Sequence, residues 1–298
     1  MKDLFDYTKE RLLKHDEFKM NRDLLRGEIR EIMQEIILPG LAGTDFFENN
    51  AFLGGTAIRM LYGLKRYSED LDFTMKEDKI KEFSWGKYTN SIVEYGKSLG
   101  VTFQCEEDAD KHGNKIVRIR SDSILEMING KNIIPKMYTR SNQREKIEVK
   151  LETNFSINAF NDEMKIADFF GKSEIRILDI SSLFAGKINA VLTREQTNLE
   201  THKKERIDKG RDWYDLVWYI NKQVKPNYNF LSKKISYKGP FEGKIIKADA
   251  KWVKDELFRR LESLDYNKIN SDITLITLKE NRITLTKDIL TEKINMLG

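Results

Sequence analysis

The sequence predicts an α+β protein, with a mixed front of strands and helices and a helical rear, the change falling within residues 155–175. Three observations predict it. Apolar and polar residues alternate around Leu71 and Phe73, in Lys115–Arg120 and from Lys146 to Asn154, the period-two pattern of half-buried strands. Residues 22–38, 179–194 and 210–222 instead space their apolar side chains by three and four, as one-sided helices do. Strand patterns lie ahead of residue 155 and helical ones dominate behind it, a segregation that favours two domains, 1–172 and 173–298.

Each element follows from its residues. Leu25, Ile29, Ile32, Met33, Ile36 and Ile37 line one helix face, and Pro39-Gly40 is expected to stop that helix. Ala51-Phe52-Leu53 is a short apolar run ending in Gly54-Gly55, and Thr56 to Gly63 is a one-sided helix. Leu71 and Phe73 alternate with Asp70 and Asp72, a strand pattern. Residues 78–99 are expected to be helical, and Val101 to Asn154 mostly strand. Asp179–Arg194 and Gly210–Lys222 are helices, separated by the polar stretch Glu195–Lys209. Residues 225–240 hold two of the four prolines and read as loop. Ala248–Leu264 is helical, and the end of the chain is expected to be helix with a short hairpin near 272–286.

Composition excludes several classes. With 40% hydrophobic residues, including 16 Phe, 11 Tyr and 4 Trp, the 298-residue chain can build a core, so wholesale disorder is excluded. The single Cys105 permits no internal disulfide and, with three scattered His, no cysteine-rich metal site. No apolar run approaches a membrane span, and the start, MKDLFDYTKERLLKHDEF, is too charged for a signal peptide. A soluble, cytoplasmic protein without a membrane partner is expected. Of 52 Lys/Arg and 48 Asp/Glu, residues 201–298 hold 21 and 14, leaving 31 and 34 for the first 200. A basic rear suits an enzyme whose tail holds a polyanion, and equally a lysine-rich solvated surface.

Three constellations carry chemistry. A glycine pair between strand and helix, Gly54-Gly55, lets backbone amides approach a phosphate at a helix N-terminus. Asp70 and Asp72, at i and i+2 on a strand, leave the same face and can jointly hold a divalent cation. Period-two alternation puts Glu148, Lys150 and Glu152 on one strand face, where a carboxylate could complete that set; a surface charge ladder is the alternative. Lys187 falls inside the apolar arc of its helix, so it either snorkels to an edge or enters a cleft as a phosphate-binding point charge. Asp212 and Asp215 sit within one turn of a helix start, where acidic residues are also stabilising without any function.

Together these residues resemble the AbiEii/AbiGii nucleotidyltransferase toxins of abortive-infection, type IV toxin–antitoxin systems. Gly54-Gly-Thr56, Arg66, Ser68 and Asp70-Leu-Asp-Phe73 are similar to the family's first motif, and Lys150-Leu-Glu-Thr-Asn154 to its next. Leu183-Phe-Ala-Gly-Lys187-Ile-Asn-Ala190 resembles its lysine helix, and Arg211-Asp-Trp-Tyr-Asp-Leu216 its last motif. The four come in the family's order and span about half the chain, Gly54 to Leu216. The resemblance implies a polymerase-β-type nucleotidyltransferase domain, a mixed sheet flanked by helices, followed by an α-helical domain that completes the active site and binds the acceptor. Asp70, Asp72, Lys187 and Asp212 would be catalytic. Gly54, Gly55, Thr56, Arg66, Ser68 and Lys187 would bind nucleotide. Asp70, Asp72 and Glu152 would hold Mg²⁺ or Mn²⁺, with Glu148 the rival third acid and Asp215 able to share the role of Asp212. Gly55 departs from the Ser common in related transferases, so no hydroxyl is offered there.

The implied activity is NMP transfer from an NTP to the 3′ end of tRNA, arresting translation and growth in antiviral defence, with a cognate antitoxin as partner. Lys203, Lys204, Arg206, Lys209, Arg259 and Arg260 are candidates for an RNA surface. A protein or small-molecule acceptor, or growth inhibition by nucleotide binding without catalysis, are the alternatives.

Overall fold

The computed structural model describes residues 3–75, 80–108, 114–130, 133, 147–155, 159–197, 202–237 and 239–297. Seven strands form one mixed sheet: β1 (Asn50–Leu53), β2 (Leu71–Met75), β3 (Gln104–Glu107), β4 (Lys115–Arg120), β5 (Glu148–Phe155), β6 (Asp162–Asp168) and β7 (Lys172–Leu178). Their order across the sheet is β3-β4-β5-β2-β1-β7-β6. β2 is antiparallel to β1 and parallel to β5, and β1 is parallel to β7. The helices that accompany the sheet are α1 (Leu4–Leu13), α2 (Arg22–Ala42), α3 (Phe46–Asn49), α4 (Gly54–Tyr62), α5 (Gly86–Ser98) and α6 (Asp122–Gly130). Beyond it come α7 (Ile180–Thr193), α8 (Gly210–Asn221), α9 (Tyr228–Ile235), α10 (Ala250–Leu261), α11 (Tyr266–Ile276) and α12 (Lys287–Asn295). A small hairpin, β8 (Glu195–Thr197) and β9 (Lys204–Arg206), follows α7. The chain divides into two units, one of residues 1–63, 67–156 and 163–177, the other of 64–66, 157–162 and 178–298.

The core of the first unit is aromatic. Fully buried Phe73, from the inward row of β2, meets Phe46 at 4.9 Å between ring centroids, Phe52 at 5.3 Å and Trp85 at 6.1 Å. The Phe46 and Trp85 contacts are edge-to-face, which adds directional attraction to a large buried area. Asn21 caps α2 by accepting from the Asp23 and Leu24 amides. Arg11 of α1 then ties down the same helix through Glu28, Glu31 and Glu35, and Arg59 of α4 also pairs with Glu31. In the second unit Asp179 caps α7, and Phe184 of that helix stacks on Tyr219 of α8 at 4.5 Å.

Six sequence expectations change. Pro39-Gly40 does not end α2, which runs on to Ala42. Proline removes one helical N–H, but packing outweighs that loss here: a Cβ on Gly40 would lie 2.9 Å from the Ile92 α-carbon, and Ser91 Oγ donates to the Gly40 carbonyl. Within the expected strand region lies α6, because Ile124 and Ile128, at i and i+4, supply a buried helical face. The change to helices comes later than expected, since β6 and β7 extend the sheet to Leu178; Ser173, Ile175 and Ile177 alternate inward along β7. Residues 225–240 include α9, which buries Phe230, Leu231 and Ile235. No hairpin forms near 272–286 among the described residues; α11 ends at Ile276 and α12 begins at Lys287. The expected helix over 78–99 begins only at Gly86 as a continuous helix, and its first two residues, with Lys146 of the expected strand, lie outside the described residues.

Candidate functional site

In the sheet unit, β1 turns into α4 at Gly54, whose φ is +83°. An L side chain rarely adopts that conformation, and a Cβ there would sit 2.6 Å from Asp72 Oδ2, so the chain needs glycine on two counts. Leu53 lies opposite Asp72 in the β1–β2 register, which brings the turn to the carboxylate. Thr56, fully buried in the first turn of α4, donates its hydroxyl to the Asp70 carbonyl at 2.5 Å. Buried Gln34 of α2 donates to the carbonyls of Ser68 and Glu69 at 3.1 and 3.0 Å. The backbone leading into the aspartates is therefore held by two helices through buried polar side chains.

On β5, parallel to β2, Glu152 is the direct partner of Asp72. Period two then puts Lys150 on the same face, and its Nζ lies 3.4 Å from Asp70 Oδ2 and 3.0 Å from Glu152 Oε2. Burial works to lower the Lys150 ammonium, but Asp70 and Glu152 outweigh it and hold its pKa above the usual value. Asn114 Nδ2 donates to the other Glu152 oxygen at 2.7 Å. Glu148 is differently placed. Arg118 and Arg120 take its two oxygens at 2.6 and 2.7 Å, and against the effect of burial they hold its carboxyl below the usual range.

The donor chemistry of Asp70, Asp72 and Glu152 fits a hard divalent cation, which takes oxygen ligands. Lys150 already places one positive charge between two of these carboxylates. Among the described residues no three His, Cys, Asp or Glu side chains form a ready-made metal cluster.

The second unit holds a buried charge cluster. Lys187 of α7 points inward, its Nζ 2.8 Å from both Asp212 Oδ1 and Asp215 Oδ2. Arg66 grips both oxygens of Asp215 at 2.6 Å, a bidentate pair in which neither side chain is more than 2% exposed. Arg194, just past α7, binds Asp212 Oδ2 at 2.7 Å and is the most accessible member, at 32%. Burial alone would raise both aspartates, but Lys187 and Arg194 at Asp212, and Arg66 and Lys187 at Asp215, hold both carboxyls below the usual range. Three cations face two anions, so the cluster carries one positive charge in excess. Neither aspartate acts simply as a solvated helix-start charge.

Thus Gly54, Thr56, Asp70, Asp72 and Glu152 come together in the first unit; Arg66, Lys187, Asp212 and Asp215 come together in the second. Ser68 is half-buried, its carbonyl bound to Gln34, and Gly55 follows Gly54 in the first turn of α4. Sequence reasoning missed Lys150 and Arg194 as members. Lys150 was visible two residues from Glu152 on the same face, and Arg194 lies seven residues, two helical turns, beyond Lys187. Of the basic residues proposed for a surface, Arg260 is only 6% exposed and binds Asp208 at 2.5 Å, so it offers no surface charge. Lys203, Lys204, Arg206, Lys209 and Arg259 are exposed.

A glycine turn set against an acidic strand face, on a mixed sheet flanked by helices, is the architecture of a nucleotidyltransferase-type protein. Comparison of sequences names the family: residues 36–282 match the profile of the AbiEii nucleotidyltransferase toxins of type IV toxin–antitoxin systems. The chain belongs to that family. Among solved structures it is similar to JHP933 of Helicobacter pylori, with 16% identity, a TM-score of 0.48, and coverage of 91% of this chain and 89% of that one. It is also similar to a candidate nucleotidyltransferase of H. pylori, with 16% identity, a TM-score of 0.47 and coverage of 92% of each chain. These two likenesses are too remote to bear on activity. Comparison with curated proteins gives no match. Among the described residues no helix is long and apolar enough to cross a membrane.

Proposed function

We propose that the chain moves an NMP from an NTP onto the 3′ end of tRNA with release of pyrophosphate, and so blocks translation and growth in the cytoplasm. The observation that carries this reading is the single acidic face of Asp70, Asp72 and Glu152 beside the Gly54 turn. Phosphoryl transfer needs alignment and charge stabilisation more than proton transfer. The amides of Gly54, Gly55 and Thr56, at the positive end of α4, receive phosphate oxygens. Asp70, Asp72 and Glu152 would hold Mg²⁺ or Mn²⁺; when bound, such an ion neutralises the triphosphate and steadies the leaving pyrophosphate. Glu152 is the third acid, since Glu148 is engaged by two arginines.

Lys187 is the phosphate-binding cation that the family resemblance implies, and Asp212 and Asp215 hold it. Arg66 acts through Asp215, and Ser68 remains a nucleotide contact. The excess positive charge of the cluster suits an anionic substrate. A cognate antitoxin completes the system. The test incubates purified protein and Mg²⁺ with each radiolabelled NTP and total tRNA, beside an Asp70→Ala/Asp72→Ala control. A labelled tRNA band that disappears in the control is expected. Absence of label from protein that still arrests growth overturns the tRNA reading, and label on protein or a small molecule reassigns the acceptor.

A further inference from the structure

Lys150 has no role in the transfer chemistry proposed above, yet its ammonium lies against two of the three carboxylates assigned there to a divalent cation. Its Nζ is 3.4 Å from Asp70 Oδ2 and 3.0 Å from Glu152 Oε2. The Lys150 backbone is fixed in β5, opposite Arg118 of β4 and with β2 on the other side. Any movement therefore belongs to the side chain, a compact charge on a flexible four-carbon stem. That side chain is 25% exposed, so solvent reaches it as well as the acids.

The surrounding acids leave this ammonium few alternatives. Glu152 already has Oε1 on Asn114 Nδ2 at 2.7 Å, so Oε2 is the oxygen that Lys150 occupies. The acids next outside the set are committed to arginines: Glu148 to Arg118 and Arg120, Asp108 to Arg118, and Glu106 to Arg120. An ammonium that leaves Asp70 and Glu152 thus has an incoming anion, not a neighbouring carboxylate, as its next partner. A phosphate oxygen suits a lysine in that position.

A divalent cation and an ammonium make competing demands on Asp70 and Glu152. Both need the same carboxylate oxygens, and like charges repel strongly at such short range. Asp70, Asp72 and Glu152 carry three negative charges and Lys150 one positive, so the ammonium neutralises only part of the set and a doubly charged ion is the stronger claimant. We infer that Lys150 is the exchangeable counter-ion of this acidic face: it bridges Asp70 and Glu152 in the resting protein, yields their oxygens to a divalent cation, and is thereby released to meet the phosphates of the nucleotide. Lys150 is a positioning residue that couples cation loading to anion binding. This rests on the assignment of the three acids to a metal ion and adds a residue that moves when the ion arrives.

The test reads Lys150 itself and needs no transfer activity. Native protein is treated with substoichiometric acetic anhydride in EDTA or in saturating Mn²⁺, without nucleotide. Acetylation of Lys150 is quantified by mass spectrometry against Lys251, whose side chain is 85% exposed. Mn²⁺ is expected to raise Lys150 labelling several-fold. Mn²⁺ affinity, measured by electron paramagnetic resonance, is expected to tighten about tenfold or more in Lys150→Met and to return to the native value or below in Lys150→Arg. With both proteins saturated in Mn²⁺, radiolabelled tripolyphosphate as its Mn²⁺ complex is expected to bind Lys150→Met about tenfold more weakly than the native chain in equilibrium dialysis. Three outcomes each overturn the inference and leave the metal assignment standing: labelling unchanged by bound Mn²⁺, Mn²⁺ held no more tightly by Lys150→Met, or tripolyphosphate bound equally by both proteins. Mn²⁺ bound by neither protein removes the metal assignment and the inference with it.

Discussion

Asp72 and Glu152 are direct partners in the parallel pairing of β2 with β5, although 80 positions separate them in the chain. That register places a third carboxylate beside the two aspartates and excludes Glu148, four residues earlier on the same face. Glu152→Gln is therefore expected to reduce nucleotide transfer on the order of 100-fold. Glu148→Gln leaves transfer nearly intact and changes stability within about 1 kcal/mol, since Arg118 retains Asp108. Initial rates with labelled NTP, alongside urea titrations, check both; equal loss in the two variants would refute the assignment.

Gly54 is held by its conformation and by Asp72. Gly54→Ala costs about 1–2 kcal/mol for the left-handed backbone and also pushes a methyl into the Asp72 carboxylate. Displacing that carboxylate is expected to lower transfer by about 100-fold or more. Gly63→Ala, also at positive φ but with open space around it, carries the backbone cost alone and keeps activity. The pair of variants, compared by denaturation and rate, separates strain from displacement.

Removing one side of the Arg66–Asp215 pair strands a charge in the interior. Asp215→Ala is expected to cost about 3–5 kcal/mol, measured by urea denaturation. The double variant Arg66→Met/Asp215→Ala recovers part of that loss, because no uncompensated guanidinium remains. If the single and double variants unfold alike, the pair is not coupled as its geometry requires.

Acid titrates the same cluster. Asp212 and Asp215 have folded pKa values below the ordinary carboxylate value, so their stabilisation is complete above the unfolded value of about 4. It drains as pH falls through that value towards the lower folded ones. The thermal midpoint between about pH 6 and pH 3 is expected to fall less steeply in Asp212→Asn than in the native chain, although the variant starts lower. Parallel slopes would contradict the cluster's role in acid stability.

Much of the first unit was legible in the residues. Alternation located β2, β4 and β5, and the glycine pair marked the helix start that faces Asp72. The motif resemblance led to the family that the sequence comparison then matched over residues 36–282. The α6 helix and the β6–β7 strands were present as spacing but short, and short apolar runs do not distinguish a helix turn from a strand. Pro39 and α9 were misread for a different cause: packing against α5, and burial of Phe230 and Leu231, outweigh local breaking signals.

By itself the sequence determined which side chains share a strand face or a helix turn, because period and spacing are local properties of the backbone. It therefore placed Asp70 with Asp72, Glu148 with Glu152, and Asp212 with Asp215. Which of these find each other was decided only by tertiary structure. The β2–β5 register chose Glu152, and folding of the second unit turned Lys187 away from an edge and into a cluster with Asp212, Asp215 and Arg66. Strand register and the burial of opposite charges depend on residues far apart in the chain, and a local pattern carries no record of them.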